Sequence, residues 1–161
     1  MIEVKQGELD QLGALLKEHE IEALIARHKP QALEVRFDVQ RLDGNSLAAS
    51  FPRMSTAGPY FITLSPLLLE WGLTDLISFS TIILHELGHV IDRAKNWTKY
   101  ASVDPLNHPE ALEYEADDFV VACGWRDGLN ETLSRAIARG REHGIPEGMA
   151  SKRLSRLSSA V

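Results

Sequence analysis

Cysteine is nearly absent. Cys123 stands alone in 161 residues, so the fold cannot rest on a disulfide within the chain. That usage is compatible with a reducing compartment, and a cytoplasmic protein is the expectation. Basic charge is the minority sign. Seventeen Lys and Arg against 23 Asp and Glu give a net charge of −6, which argues against a nucleic-acid partner held by general phosphate attraction. Long apolar runs are missing too. The most apolar region, 61–84, is interrupted by Pro66, Glu70, Gly72 and Asp75, and its pieces fall short of the ~20 residues a bilayer helix needs. The first eight residues hold no basic stretch followed by an apolar run. Neither a signal peptide nor membrane insertion is therefore expected. What is present suits one soluble domain spanning 1–161: 44% hydrophobic and 25% charged residues, in a length that builds one core.

Periodicity divides the chain. Leu9, Leu12, Leu15, Leu16, Ile21, Leu24 and Ile25 are spaced for an amphipathic helix over the first 30 residues, in one piece or two, ending at Pro30. Leu33, Val35, Phe37 and Val39 then alternate with polar residues, as in a half-buried strand. Asp43-Gly44-Asn45 is a turn signal, and 47–51 reads as the returning strand of a hairpin. Pro59–Leu64 is a third strand. Leu67–Gly72 reads as a short helical turn stopped by its glycine. Thr74 or Asp75 then caps a helix that runs to about Arg93 or Lys95, with Leu76, Phe79, Ile83, Leu87, Val90 and Ile91 as its packed face. A polar loop from Asn96 includes Tyr100 and His108. Pro109 opens a further helix, which Gly124 ends. Leu129 to about Arg141 is helical, and a short basic helix over 151–158 lies in the tail 144–161. The class is α+β, with a short mixed or antiparallel sheet of three to four strands.

One stretch carries chemistry. His85-Glu86-Leu87-Gly88-His89 is the HExxH pattern of zinc hydrolases. Residues four apart share a helix face, so both imidazoles reach one ion. Glu86, beside the first of them, is placed as a general base toward a water there. Gly88 costs roughly 1 kcal/mol relative to Ala inside a helix, which a close contact would explain. Catalytic zinc takes three protein ligands and keeps a fourth position open. The next helix offers Glu113 as the third, with Glu110 as second choice on the same face. Glu115 points about 200° away from Glu113. Asp117, one turn beyond Glu113, suits a hydrogen bond to the far nitrogen of a ligating histidine, fixing its tautomer. Cys123 lies about 280° around the axis from Glu113, off that face, and reads as a buried structural residue. Lys95 stands where the metzincin pattern needs its third histidine.

With Glu113-Tyr114-Glu115-Ala116-Asp117 following HExxH, the chain resembles the gluzincin clan of metallopeptidases, and within it the family of the heat-shock protease HtpX and the CAAX prenyl protease. The similarity runs from about Tyr60 to Ile137, with a looser one at Arg153-Leu154. In the absence of spanning helices the chain is most similar to the small soluble minigluzincins. The resemblance implies a zincin-like domain with Zn2+ on His85, His89 and Glu113, Glu86 as catalytic base, and Asp117 supporting a ligand. It also implies activity on a peptide or protein substrate, latent where a terminal segment such as 144–161 fills the cleft. The extended peptide is expected to pair with the strand Tyr60, Ile62, Leu64. His143, Arg135, Arg153 and Tyr100 are candidates to stabilise the oxyanion. The alternative is a metal-binding regulatory or interaction module, as in ImmA/IrrE-type proteins with a similar HExxH core.

Overall fold

A computed structural model describes residues 6–18, 20–42, 46–51, 58–144 and 147–159. The expected turn at 43–45 and His19 lie outside them. The architecture is α+β and mostly helical. In chain order it comprises α1 (Gln6–Glu18), α2 (Ile21–His28), β1 (Val35–Val39), β2 (Ala48–Phe51), β3 (Tyr60–Leu64), α3 (Pro66–Thr74), α4 (Leu76–Lys95), a 3-10 turn (Trp97–Tyr100), α5 (Glu110–Ala122), α6 (Arg126–Glu142) and α7 (Gly148–Ser159). The N-terminal helix is in two pieces, broken at Glu20, whose φ of 51° is left-handed.

The sheet corrects the hairpin expected of the first two strands. Its order is β1-β3-β2, with β1 parallel and β2 antiparallel to β3. Burial explains the insertion. Tyr60, Ile62, Thr63 and Leu64 of β3 are all buried, and a strand apolar on both faces belongs in the middle. β1 alternates with charged residues and suits an edge. No fourth strand is present among the described residues.

α3 also differs from expectation, passing through Gly72 to Thr74. The glycine is there for space. A Cβ at Gly72 would lie 2.9 Å from Phe79 Cδ2 and 3.1 Å from Leu15 Cδ1, so it lets α3 sit close to α4 and α1. Ser65 caps α3, accepting from the Leu68 N–H at 3.2 Å, and Pro66 occupies its first turn.

α4 is the axis of the molecule. Every residue from Ile83 to Ile91 is buried, because sheet, α3, α5 and α6 all pack on it. Leu76, expected in its packed face, is 48% exposed at the first turn. Asp75 starts the helix, its Oδ1 accepting from the Ser78 N–H at 3.1 Å. The same carboxylate is buried against Arg135 and Arg139 of α6, with Arg139 Nη2 at 3.0 Å. The Arg139 guanidinium lies over the Trp71 ring, 3.7 Å from its centroid. One side chain thus caps α4 and ties it to α6. α5 ends in a Schellman arrangement. Gly124, at φ 86°, donates to Val121 O at 2.9 Å, and Trp125 donates to Val120 O at 3.1 Å.

Asp75→Ala removes the cap and strands two arginines, and is expected to lower stability by about 1–2 kcal/mol. Asp75→Asn keeps the cap and loses less. Urea unfolding of the two variants should rank them in that order.

Candidate metal centre

Helical spacing on α4 and α5 brings the site together. His85 Nε2 lies 3.3 Å from Glu113 Oε2, and His89 Nε2 lies 3.1 Å from Glu113 Oε1. Ligand atoms from these three residues all fall within 4.8 Å of one another. His85 Nδ1 meets Asp117 Oδ1 at 2.9 Å. The two carboxylates one turn apart on α5 therefore address opposite nitrogens of one ring. Glu110 and Glu115 are not at the centre. Glu110 accepts from the Tyr114 hydroxyl and lies 3.5 Å from Lys152; Glu115 pairs with Lys99.

The approach of the two helices depends on Gly88. A Cβ there would lie 3.1 Å from Phe119 Cδ1 and 3.3 Å from the Ala116 Cα. Backbone of α5 thus comes against backbone of α4 one residue before the second histidine.

Electrostatics favour a cation. Burial and the Arg153 guanidinium lower the pKa of His85, yet Glu113 and Asp117 outweigh them and push it up to about 9. Burial would raise Glu113, but the two histidines and Arg153 hold it well below the usual carboxylate range. Burial likewise opposes Asp117, which hydrogen bonds from Arg153 and His85 hold down to about 2. A donor set of two imidazoles and a carboxylate, with a second carboxylate orienting one ring, fits a catalytic zinc site. Glu86 adds a further observation. It is 8% exposed, and its Oε2 is buried with no hydrogen-bond partner, as befits a carboxylate awaiting a water or substrate donor.

These groups line a cleft of about 500 Å³ that His85, Glu86, Glu113 and Ala48 share with Met149 and Arg153 of α7. It continues into a hollow of about 460 Å³ walled by Leu67, Trp71 and Ile137, the two sharing Leu47, Ala136, Glu147 and Ala150. The tail helix is a wall of the cleft. Leu157 anchors it in the core, and Arg153 donates to both oxygens of Asp117, at 2.8 and 2.7 Å.

Three of the four candidate oxyanion residues have partners. Arg153 lines the cleft and gives Nε and Nη2 to Asp117. Arg135 pairs with Asp75 and Glu131. The Tyr100 hydroxyl donates to Asp92 at 2.7 Å. His143 is exposed at the end of α6. Cys123 is half-buried at the end of α5, its thiol pushed up by burial, and takes no part. β3 offers no edge to a peptide, since β1 and β2 occupy both its sides and Tyr60, Ile62 and Leu64 are buried. Docking along that strand is thereby corrected.

One residue of the site has no motif to announce it. His108, at the end of the polar loop, has a side chain only 5% exposed and stacks on His89 with ring centroids 4.0 Å apart and planes 6° apart. Burial and the neighbouring His89 push its pKa down to about 4. Its only sequence signal is its place just before Pro109, at the mouth of the ligand helix. The start of its loop is pinned by Asp92, which accepts from Tyr100, from Lys99 at 2.9 Å and from Asn96 at 2.9 Å.

Comparison with protein-family models, curated proteins and solved structures gives no match, so the functional reading rests on this geometry.

Two outcomes follow. Gly88→Ala, despite a gain in helix propensity of ~1 kcal/mol, forces α5 off α4 by a few tenths of an ångström. Titration with Zn2+ should show weaker uptake at this cluster than in wild type, while far-UV circular dichroism stays unchanged. The second concerns Asp92. Burial alone would raise its pKa, but bonds from Tyr100, Lys99 and Asn96 hold it down to about 2, against 3.8 for the free side chain. A depressed carboxylate stabilises the fold fully above its unfolded pKa and loses that contribution as pH falls through the folded one. The stability gap between wild type and Asp92→Asn should therefore be widest above about pH 5 and close toward pH 2, as measured by denaturant unfolding across pH.

Proposed function

We propose that the chain is a zinc-dependent peptidase of the gluzincin kind, with His85, His89 and Glu113 holding Zn2+ and Glu86 as general base. The observation that carries the reading is the convergence of those three ligand atoms beside a cleft lined by His85, Glu113 and Glu86, the last with a partnerless oxygen. Bound zinc would supply Lewis acidity toward a carbonyl and lower the pKa of a water. Glu86 then takes the water's proton and returns it to the leaving amine. Asp117 keeps its hydrogen bond on His85 Nδ1, so that the Nε2 lone pair faces the metal side. Arg153 neutralises Asp117 and keeps that carboxylate from drifting toward the ligands.

The substrate strand belongs to β2. In the antiparallel pairing Ser65 N–H donates to Leu47 O. By alternation, Ala48 and Ser50 then direct their backbone groups to the outer edge. The Ser50 carbonyl accepts from Arg93 Nη1 at 3.1 Å, whereas Ala48 lines the cleft beside His85 and Glu86. An extended peptide adds there through main-chain bonds to Ala48, directing a side chain toward the Leu67–Trp71 hollow.

Purified protein should carry about one zinc per chain by elemental mass spectrometry, lost in His89→Ala. Glu86→Gln should keep the metal and lose about 10²–10⁴-fold of its hydrolysis of an unfolded protein. Undiminished cleavage by Glu86→Gln would overturn the assignment.

A further inference from the structure

The Glu113 carboxylate has a symmetric set of neighbours that the ligand assignment does not use up. Oε2 faces His85 Nε2 at 3.3 Å and Arg153 Nη1 at 3.5 Å. Oε1 faces His89 Nε2 at 3.1 Å and His108 Nδ1 at 3.6 Å. Each oxygen therefore meets one histidine of the HExxH pair and one outside group. When the two Nε2 atoms turn their lone pairs to a metal, they no longer offer protons to Glu113. Among the described residues, Arg153 and His108 are then the groups that approach the carboxylate from outside the ligand set.

His108 stands outside the group of atoms within 4.8 Å of one another, so it does not complete the ligand set. Its position is nonetheless costly. Burying a polar group without a partner costs about 1–3 kcal/mol, and His108 Nε2 is buried with none. A phenylalanine could fill the space against His89 without that cost. What a phenylalanine lacks is the nitrogen toward Glu113 Oε1. No hydrogen bond sets the ring's orientation: Nδ1 at 3.6 Å is a polar approach to Glu113 Oε1 rather than a hydrogen bond, and Nε2 has no partner among the described residues. The ring is placed by the parallel stack on His89 and by the Tyr100 ring standing edge-on at 6.2 Å, and in that place its Nδ1 lies 3.6 Å from Glu113 Oε1.

We propose that His108 is a positioning residue of the metal centre: its Nδ1–H steadies Glu113 through Oε1, while its ring backs His89 and holds that imidazole in line. The inference rests on the zinc reading above and adds a side chain from a loop to those that the helices supply. Groups that orient a metal ligand from behind are worth about 10–100-fold in metal affinity, and His108 acts on two ligands at once.

The test compares wild type with His108→Phe, which keeps the flat ring and removes the nitrogen, and with His108→Asn, which returns an N–H near the Nδ1 position without the ring. Zn2+ affinity is measured by chelator competition, the visible spectrum of the Co2+ form reports ligand geometry, and the melting temperature of the metal-free protein reports the fold. His108→Phe should bind Zn2+ about 10–100-fold more weakly, with an altered Co2+ spectrum and a metal-free melting temperature no lower than that of wild type. His108→Asn should recover part of the affinity. His108→Phe binding as tightly as wild type, or His108→Asn binding no better than His108→Phe, would overturn the proposal and leave the zinc reading intact. Wild type that binds neither metal would overturn both. Should His108→Phe fail to fold, His108→Leu takes its place with the same expectation.

Discussion

The separation of α4 and α5 at Gly88 is the constraint on which the site depends. Two histidines on one helix fix a direction, but a third ligand from a second helix must arrive at hydrogen-bonding distance of both. Glu113 does so because Ala116 and Phe119, on the next turns of α5, press against a residue that has no side chain. The sequence accepts a poor helix former in the middle of its most buried helix, and the gain is a carboxylate 3.1–3.3 Å from two imidazoles. Everything else around the centre adjusts orientation within that spacing.

Burying so much charge requires neutralisation from several parts of the chain. Asp117 is met by Arg153 from α7, and Glu113 is approached by the same guanidinium. Asp75, at the other end of α4, is met by two arginines from α6. Ion pairs in such surroundings offset desolvation more than they add stability, and losing one partner leaves the other uncompensated. The net charge of −6 therefore hides a different interior, in which Asp75, Glu113 and Asp117 are met by arginines while Glu86 is not.

Much of this was legible in the residues. HExxH spacing and the one-turn step from Glu113 to Asp117 are local helix geometry, so the side chains that converge could be read from the chain alone. The asparagine, aspartate and proline signals likewise marked the ends of α4 and α5. What was not legible depends on sequence-distant choices. Strand order is one case: β3 lies between β1 and β2 because of what its two faces bury, and adjacency in the chain pointed instead to a hairpin. Gly72 is another, a packing glycine with the local signature of a helix stop. His108 is the third. No spacing relates it to the histidines of α4, and only the path of a loop pinned at Asp92 carries it onto His89. The role of Arg153 was hidden for the same reason, since its partner lies 36 residues earlier.

The dependence of Asp117 on Arg153 also sets an order of events. Along the chain, Arg153 comes after both histidines, Glu113 and Asp117. A polypeptide still emerging from the ribosome exposes the full ligand set before the cation that balances it. Until α7 docks, Asp117 is an unneutralised carboxylate one turn from Glu113, free to compete for the same ion. On the zinc reading proposed above, the docking of α7 is the step that gives Asp117 its counter-charge and leaves Glu113 as the carboxylate for the metal.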